Sequence, residues 1–213
     1  MPISELHTQG KVKVVSSSTY AVSVYFDELT SAAISVLINE YARVTGSTFL
    51  KDHCVPVHLT IGMFHVQDSD VPLLQQRFID FVKADLQPLK LSCGSIVDFK
   101  QKVIVLSINM DCESGVQLRQ MNNQLHQLFL PYFAPGANRN YVPENFFPHV
   151  GLAVKLTPEQ CIKAQQIQNH MMLQAKKLTA ANVVSIALAR CHPYEELLRY
   201  PVLMEQYGNR SIL

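Results

Sequence analysis

His58-Leu59-Thr60-Ile61-Gly62-Met63 and His149-Val150-Gly151-Leu152-Ala153-Val154 align without a gap, and each follows a nearby proline, Pro56 or Pro148. Both stretches read as strands, with β-branched and apolar residues predominating. Side chains alternate across a strand, so Leu59, Ile61 and Met63 are predicted to face one way and His58, Thr60 and Gly62 the other. By the same rule Val150, Leu152 and Val154 oppose His149, Gly151 and Ala153. One face is large and apolar. The other carries a histidine followed by small residues, as a strand lining a cleft would.

The segments around these strands fall into two similar series. Tyr20 to Phe26 is a β-branched and aromatic run, and a helix from Leu29 to Val44 follows, with apolar residues at three- and four-residue spacing and Gly46 as a stop. The first histidine strand spans Val57 to Val66. Asp70 is placed to cap a helix from Val71 to about Ala84. Lys90 to Phe99 and Val103 to Met110 then read as a hairpin. In the second series Leu118 to Phe129 is helical and Pro131 ends it. Residues 132 to 145 carry the strongest loop signal in the chain, and the second histidine strand spans Phe146 to Val154. Thr157-Pro158-Glu159-Gln160 is a capping box opening a helix to about Leu173. A final strand from Val183 to Arg190 has a partner near Leu197 to Val202.

Strand, helix, strand, helix, strand in each half reads as an internal duplication. Tyr20 and Val103 are 83 residues apart and His58 and His149 are 91 apart, the excess matching the long loop before His149. No Gly- or Ser-rich linker divides the halves. The reading is a single bilobal domain over residues 1–213, with lobes at about 19–99 and 103–205. With 213 residues, 48% of them apolar, the chain is long enough to bury one full core.

Composition narrows the function. The net charge of +1 argues against a broad basic face for duplex DNA. Five scattered cysteines without a C-x-x-C pair argue against a disulfide framework, and no stretch approaches the roughly 20 apolar residues of a membrane span. The opening MPISELHTQGK lacks the apolar centre of a signal peptide. The expectation is a cytoplasmic monomer. His53 and His65 lie five and seven residues from His58, odd spacings that turn them to the other face of a continuous strand, so no metal site is expected there.

A lone strand histidine is ordinarily a packed structural residue; a pair at equivalent places in two similar halves is a candidate acid–base pair. The residues resemble the two-histidine (2H) phosphoesterase superfamily, whose signature is one His-x-Thr/Ser-x motif per lobe. His58-Leu59-Thr60-Ile61 matches in full, whereas His149-Val150-Gly151-Leu152 has Gly151 where the family has a hydroxyl. The resemblance implies an α/β (α+β) fold of two lobes, with two mainly antiparallel sheets lining a central groove and helices outside. It also implies phosphodiester chemistry on 2′,3′-cyclic phosphates or 2′-5′-linked nucleotides and RNA ends, without metal or other cofactor.

The chemistry has its own logic. Histidine titrates near pH 6.5, so a facing pair supplies one neutral and one protonated imidazole, a base for the entering oxygen and an acid for the leaving one. The phosphoryl oxygens need fixed donors, a role for Thr60 on the face of His58. At Gly151 the second donor must come from the backbone amide, a water or another side chain. Arg139 and Tyr141 in the preceding loop and Arg190 on the last strand are the candidates. The alternative, prompted by Gly151, is a catalytically weakened protein that binds nucleotides or RNA ends in the same groove.

Overall fold

The computed structural model describes residues 16–99 and 102–202. β1 (Ser17–Phe26) leads into α1 (Glu28–Thr45), capped at its start by the Asp27 carboxylate, which accepts from the Thr30 amide at 2.7 Å. A short α2 (Phe49–Asp52) precedes β2 (His58–Gln67), and a turn of 3₁₀ helix joins β2 to α3 (Val71–Asp85). Asp70 stands at the N-cap of α3 but makes no side-chain capping bond. β3 (Lys90–Phe99) and β4 (Val103–Ile108) form the expected hairpin. α4 (Glu113–Phe129) follows, then the two-residue β5 (Ala134–Pro135), two 3₁₀ turns and β6 (His149–Ala153). α5 (Pro158–Ala175) opens with the expected capping box of Thr157 and Gln160, and β7 (Ala180–Arg190) and β8 (Glu195–Pro201) close the fold. None of the five cysteines forms a disulfide. Among the described residues, no helix is long and apolar enough to cross a membrane.

The α/β fold has antiparallel pairing throughout, and the two expected sheets are joined into one eight-stranded sheet. Its order is β1-β2-β6-β4-β3-β7-β8, with β5 beside β2 and β1 also paired with β7. It divides naturally into β8-β7-β1-β2 and β6-β4-β3. The halves meet at two seams: Leu59 with Val150 between β2 and β6, and Lys90–Ser92 with Ala180–Asn182 between β3 and β7. Sheet membership therefore does not follow a division of the chain at residues 99–103. β3 pairs with β4, β7 returns to pair with β1, and β8 pairs with β7.

The helices cross over as well. α1 packs behind β6, whereas α4 packs behind β2, so each half's helix supports the other half's histidine strand. Leu59, Ile61, Val150 and Leu152 are at most 1% exposed in the core these helices close, each contributing about 1.5–3 kcal/mol of apolar burial.

The predicted alternation of faces holds for the first four residues of each motif and then breaks. In the β1–β2 ladder Ser23 pairs with Thr60 and Val22 with Gly62, which leaves Ile61 as an extra residue. In the β4–β6 ladder Val105 pairs with Gly151 and Ile104 with Ala153, leaving Leu152 over in the same way. These are β-bulges at the fourth position of both motifs, and a bulge re-aims the side chains that follow it. Gly62 and Ala153 consequently turn to the helix side, and Met63 and Val154 turn to the groove, the reverse of the simple alternation.

Gly62 is required by this reversal. A Cβ there would lie 2.7 Å from Leu125 Cδ2 and 3.2 Å from His126 Cε1, both on α4. At Gly151 a Cβ would meet only Val154 Cγ1, at 3.4 Å. Gly62→Val is therefore expected to destabilise the protein by about 1–3 kcal/mol through overpacking, and Gly151→Val to stay within about 0.5 kcal/mol of the parent. Urea denaturation of the two variants checks the contrast.

Candidate active site

Residues directly opposite in an antiparallel ladder share a face. Extending the Leu59–Val150 pair by one residue each way sets His58 across from Gly151 and Thr60 across from His149. All four line one cavity of about 260 Å³. Its other walls come from Val55, Pro56 and Val57 before β2, Phe99 and Val103 of the hairpin, and Ala137, Asn140 and Tyr141 of the loop before β6.

The two imidazoles are held alike. His58 Nδ1 lies 2.7 Å from the carbonyl oxygen of Pro56, and His149 Nδ1 lies 2.7 Å from that of Phe147, in each case the residue two places earlier. A carbonyl only accepts, so Nδ1 carries the hydrogen on both rings and Nε2 is the nitrogen left for chemistry. Aromatic rings flank both. Tyr25 sits across β1 from His58 with ring centroids 6.1 Å apart, and Tyr141, Phe99 and Phe147 surround His149 at 6.1, 5.6 and 5.9 Å.

Burial lowers the pKa of His58 against the opposing pull of the Pro56 carbonyl. It lowers that of His149 too, against the Phe147 carbonyl, and the neighbouring His58 adds to the depression. A proton on one ring thus disfavours a proton on the other.

Thr60, 7% exposed, anchors a row of hydroxyls. Its Oγ1 is 3.3 Å from Ser23 Oγ, and its hydroxyl is directed toward the Tyr141 side chain. Burial raises the Tyr141 pKa, the neighbouring Thr60 hydroxyl opposing, and the phenol stays protonated. Tyr141 is therefore brought to the site together with His58, His149, Thr60 and Gly151.

The two arginines are not. Arg139, in left-handed backbone at φ 61°, is exposed and does not line the cavity, although Ala137, Asn140 and Tyr141 around it do. Arg190 pairs across the ladder with Tyr20, whose side chain is in the core, so it lies on the face away from the cavity, in an ion pair with Glu195. One residue of strand parity separates it from the cavity face. His53 caps α2 with Nδ1 2.9 Å from Phe49 O, and His65 bonds Thr19; both are exposed.

The sequence reading missed the walls. Phe99 and Phe147 stack at 5.6 Å with an interplanar angle of 7°, joining the hairpin to the second motif. α2 contributes Leu50, and Lys155, in left-handed backbone after β6, sets its ammonium 4.3 Å from the Phe49 ring centroid. Only the aromatic dipeptide Phe146-Phe147 before His149 signalled any of this.

No protein-family model matches the chain, and no curated protein matches it in sequence. Solved structures do match. E. coli LigT in complex with 3′-AMP superposes with a TM-score of 0.55 at 11% identity, covering 89% of this chain and all of LigT. The fold is that of LigT. A protein described as a phosphoesterase matches the LigT-fold chain with a TM-score of 0.55, 11% identity and coverage of 89% and 100%. A conserved protein of unknown function from Agrobacterium tumefaciens matches with a TM-score of 0.55, 11% identity and 85% coverage of both chains. The shared fold is an α/β architecture of the kind that the two-histidine resemblance implied.

The LigT-like geometry makes a prediction free of any assumed substrate. Imidazole ¹⁵N NMR should find His58 and His149 neutral with the hydrogen on Nδ1, both titrating below the usual value of about 6.5. A hydrogen on Nε2 of either ring at neutral pH would contradict the assignment.

Proposed function

We propose that this chain is a metal-independent phosphodiesterase acting on 2′,3′-cyclic phosphates or 2′-5′-linked nucleotides and RNA ends. The observation that carries the reading is the matched pair of Nδ1–carbonyl bonds, which leaves two Nε2 atoms for one cavity beside Thr60 and Tyr141. A LigT neighbour in complex with 3′-AMP supports a nucleotide phosphate as the class of ligand. We take the protein to work as a cytoplasmic monomer, with no duplex DNA or membrane partner.

In hydrolysis of a 2′,3′-cyclic phosphate, the neutral imidazole takes a proton from water as its oxygen bonds to phosphorus. The protonated one gives its proton to the ribose oxygen as that P–O bond breaks, leaving a ribose hydroxyl and a phosphomonoester. A pair that disfavours double protonation suits this division, since one ring must be neutral while the other is charged. Thr60 and Tyr141 donate to the phosphoryl oxygens, Tyr141 in place of the hydroxyl missing at Gly151.

His58→Ala and His149→Ala are each expected to lower turnover of 2′,3′-cyclic AMP by about 10²- to 10⁴-fold, and EDTA to leave the parent rate unchanged. Unchanged rates in either variant would overturn the reading. In kcat/KM the base limb needs a pH above one lowered pKa, and the acid limb a pH below the other. The profile should be a bell with its maximum on the acid side of about 6.5.

Gly151 favours a second reading, a groove that binds nucleotide phosphates with weakened turnover. The open space beside Gly151 admits a threonine. Activity that appears only in Gly151→Thr would favour this reading; turnover by the natural protein would reject it.

A further inference from the structure

The bulge in β2 leaves a buried carbonyl to be satisfied. Ile61 is the extra residue of that bulge and is fully buried. A bulge disrupts the ladder locally, and a buried acceptor without a partner costs about 1–3 kcal/mol. The partner comes from α4, in the other half of the sequence. Asn122, 1% exposed, donates from Nδ2 to Ile61 O at 2.7 Å.

The same nitrogen donates its other hydrogen to Tyr141 O, also at 2.7 Å. Both acceptors are carbonyls, so the amide's NH₂ end is the one that faces them. One NH₂ group thus holds the residue after Thr60 and the residue that supplies the second hydroxyl. The helix is itself registered against the strand at this point. His126, one turn on, places Nδ1 2.8 Å from the Asn122 carbonyl and packs its ring on Phe64 and against Gly62.

We propose that Asn122 is a positioning residue, which locks the β2 bulge to the Tyr141 loop and so fixes the spacing of the Thr60 and Tyr141 hydroxyls that grip the phosphoryl group. The proposal rests on the phosphodiesterase reading for its catalytic consequence, but the lock itself is a matter of geometry. Nothing in the sequence spacing marks Asn122, which lies on the core face of α4 among Leu118, Met121 and Leu125.

Serine at this position keeps one donor and can hold only one of the two carbonyls. Asn122→Ser is expected to lower kcat for 2′,3′-cyclic AMP by about 10- to 10²-fold, the effect of a small displacement of a reacting constellation, with KM little changed. In a Tyr141→Phe background, where the hydroxyl to be positioned is gone, Asn122→Ser should cost little more. The same fold-loss in both backgrounds would mark a general loss of packing and overturn the proposal.

If the serine variant does not fold, Asn122→Asp keeps the shape, and it can donate a hydrogen only while neutral. Its activity should then fall as pH rises through the aspartate's own pKa, a limb that the parent lacks; a parent-like profile would overturn the proposal. Should the natural protein turn over nothing, the phosphodiesterase reading fails and the lock is read by crystallography instead. The separation of the Thr60 and Tyr141 hydroxyls should change in a position-122 variant, and an unaltered separation would overturn the proposal.

Discussion

One backbone pair, Leu59 with Val150, brings the two halves of the sheet together at the candidate site. Because residues opposite in an antiparallel ladder share a face, that pair decides that each histidine confronts the third residue of the other motif. A slip of one residue in this register would turn one strand over relative to the other and send its imidazole into the packed side of the sheet. The seam is short, so its register depends on what braces the strands from behind. That bracing is crossed, α4 behind β2 and α1 behind β6, so that neither half can present its histidine without the helix of the other.

Much of this was legible in the residues. The repeated histidine strands, the hairpin, the helices and the capping box all carry local signals, namely periodicity, turn residues and cap residues, and they lie where those signals put them. The candidate site was legible as far as position along a strand decides it: His58 shares a face with Thr60, and His149 with Gly151, because each pair is two residues apart on its strand, and the seam then unites the two pairs. Where the signal is not local, the reading fails. A bulge is one residue of extra length, and no residue type at Ile61 or Leu152 announces it, so Gly62 and Met63 were assigned to each other's faces. Arg190 was chosen for its charge, and strand parity removed it. Chain order divides the lobes near residue 100, whereas the return of β7 to β1 is settled by long-range contacts.

The electrostatics follow from the same arrangement. The cavity is walled mainly by apolar and aromatic residues, and burial is the largest influence on both imidazoles. Each ring has its Nδ1 hydrogen committed to a carbonyl of its own approach segment, which orients it without adding a charge. A carboxylate in that position would raise the pKa of its imidazole strongly; a carbonyl raises it modestly and leaves burial in command. The pair is thus inclined to hold at most one proton near neutrality. A phosphodiester carries one negative charge and the monoester product nearly two, so the protonation that matches the substrate does not match the product.

The bulges carry a further implication, about order in time. A bulge is the insertion of one residue into a strand, and the same insertion stands at the fourth position of both histidine motifs. Two independent insertions at one step of one motif are a poor account of that coincidence. Inheritance is a better one: the ancestral half already bent its strand there before it was copied. Thr60 and Gly151, at the third position of the two motifs, then mark where the copies have since come to differ.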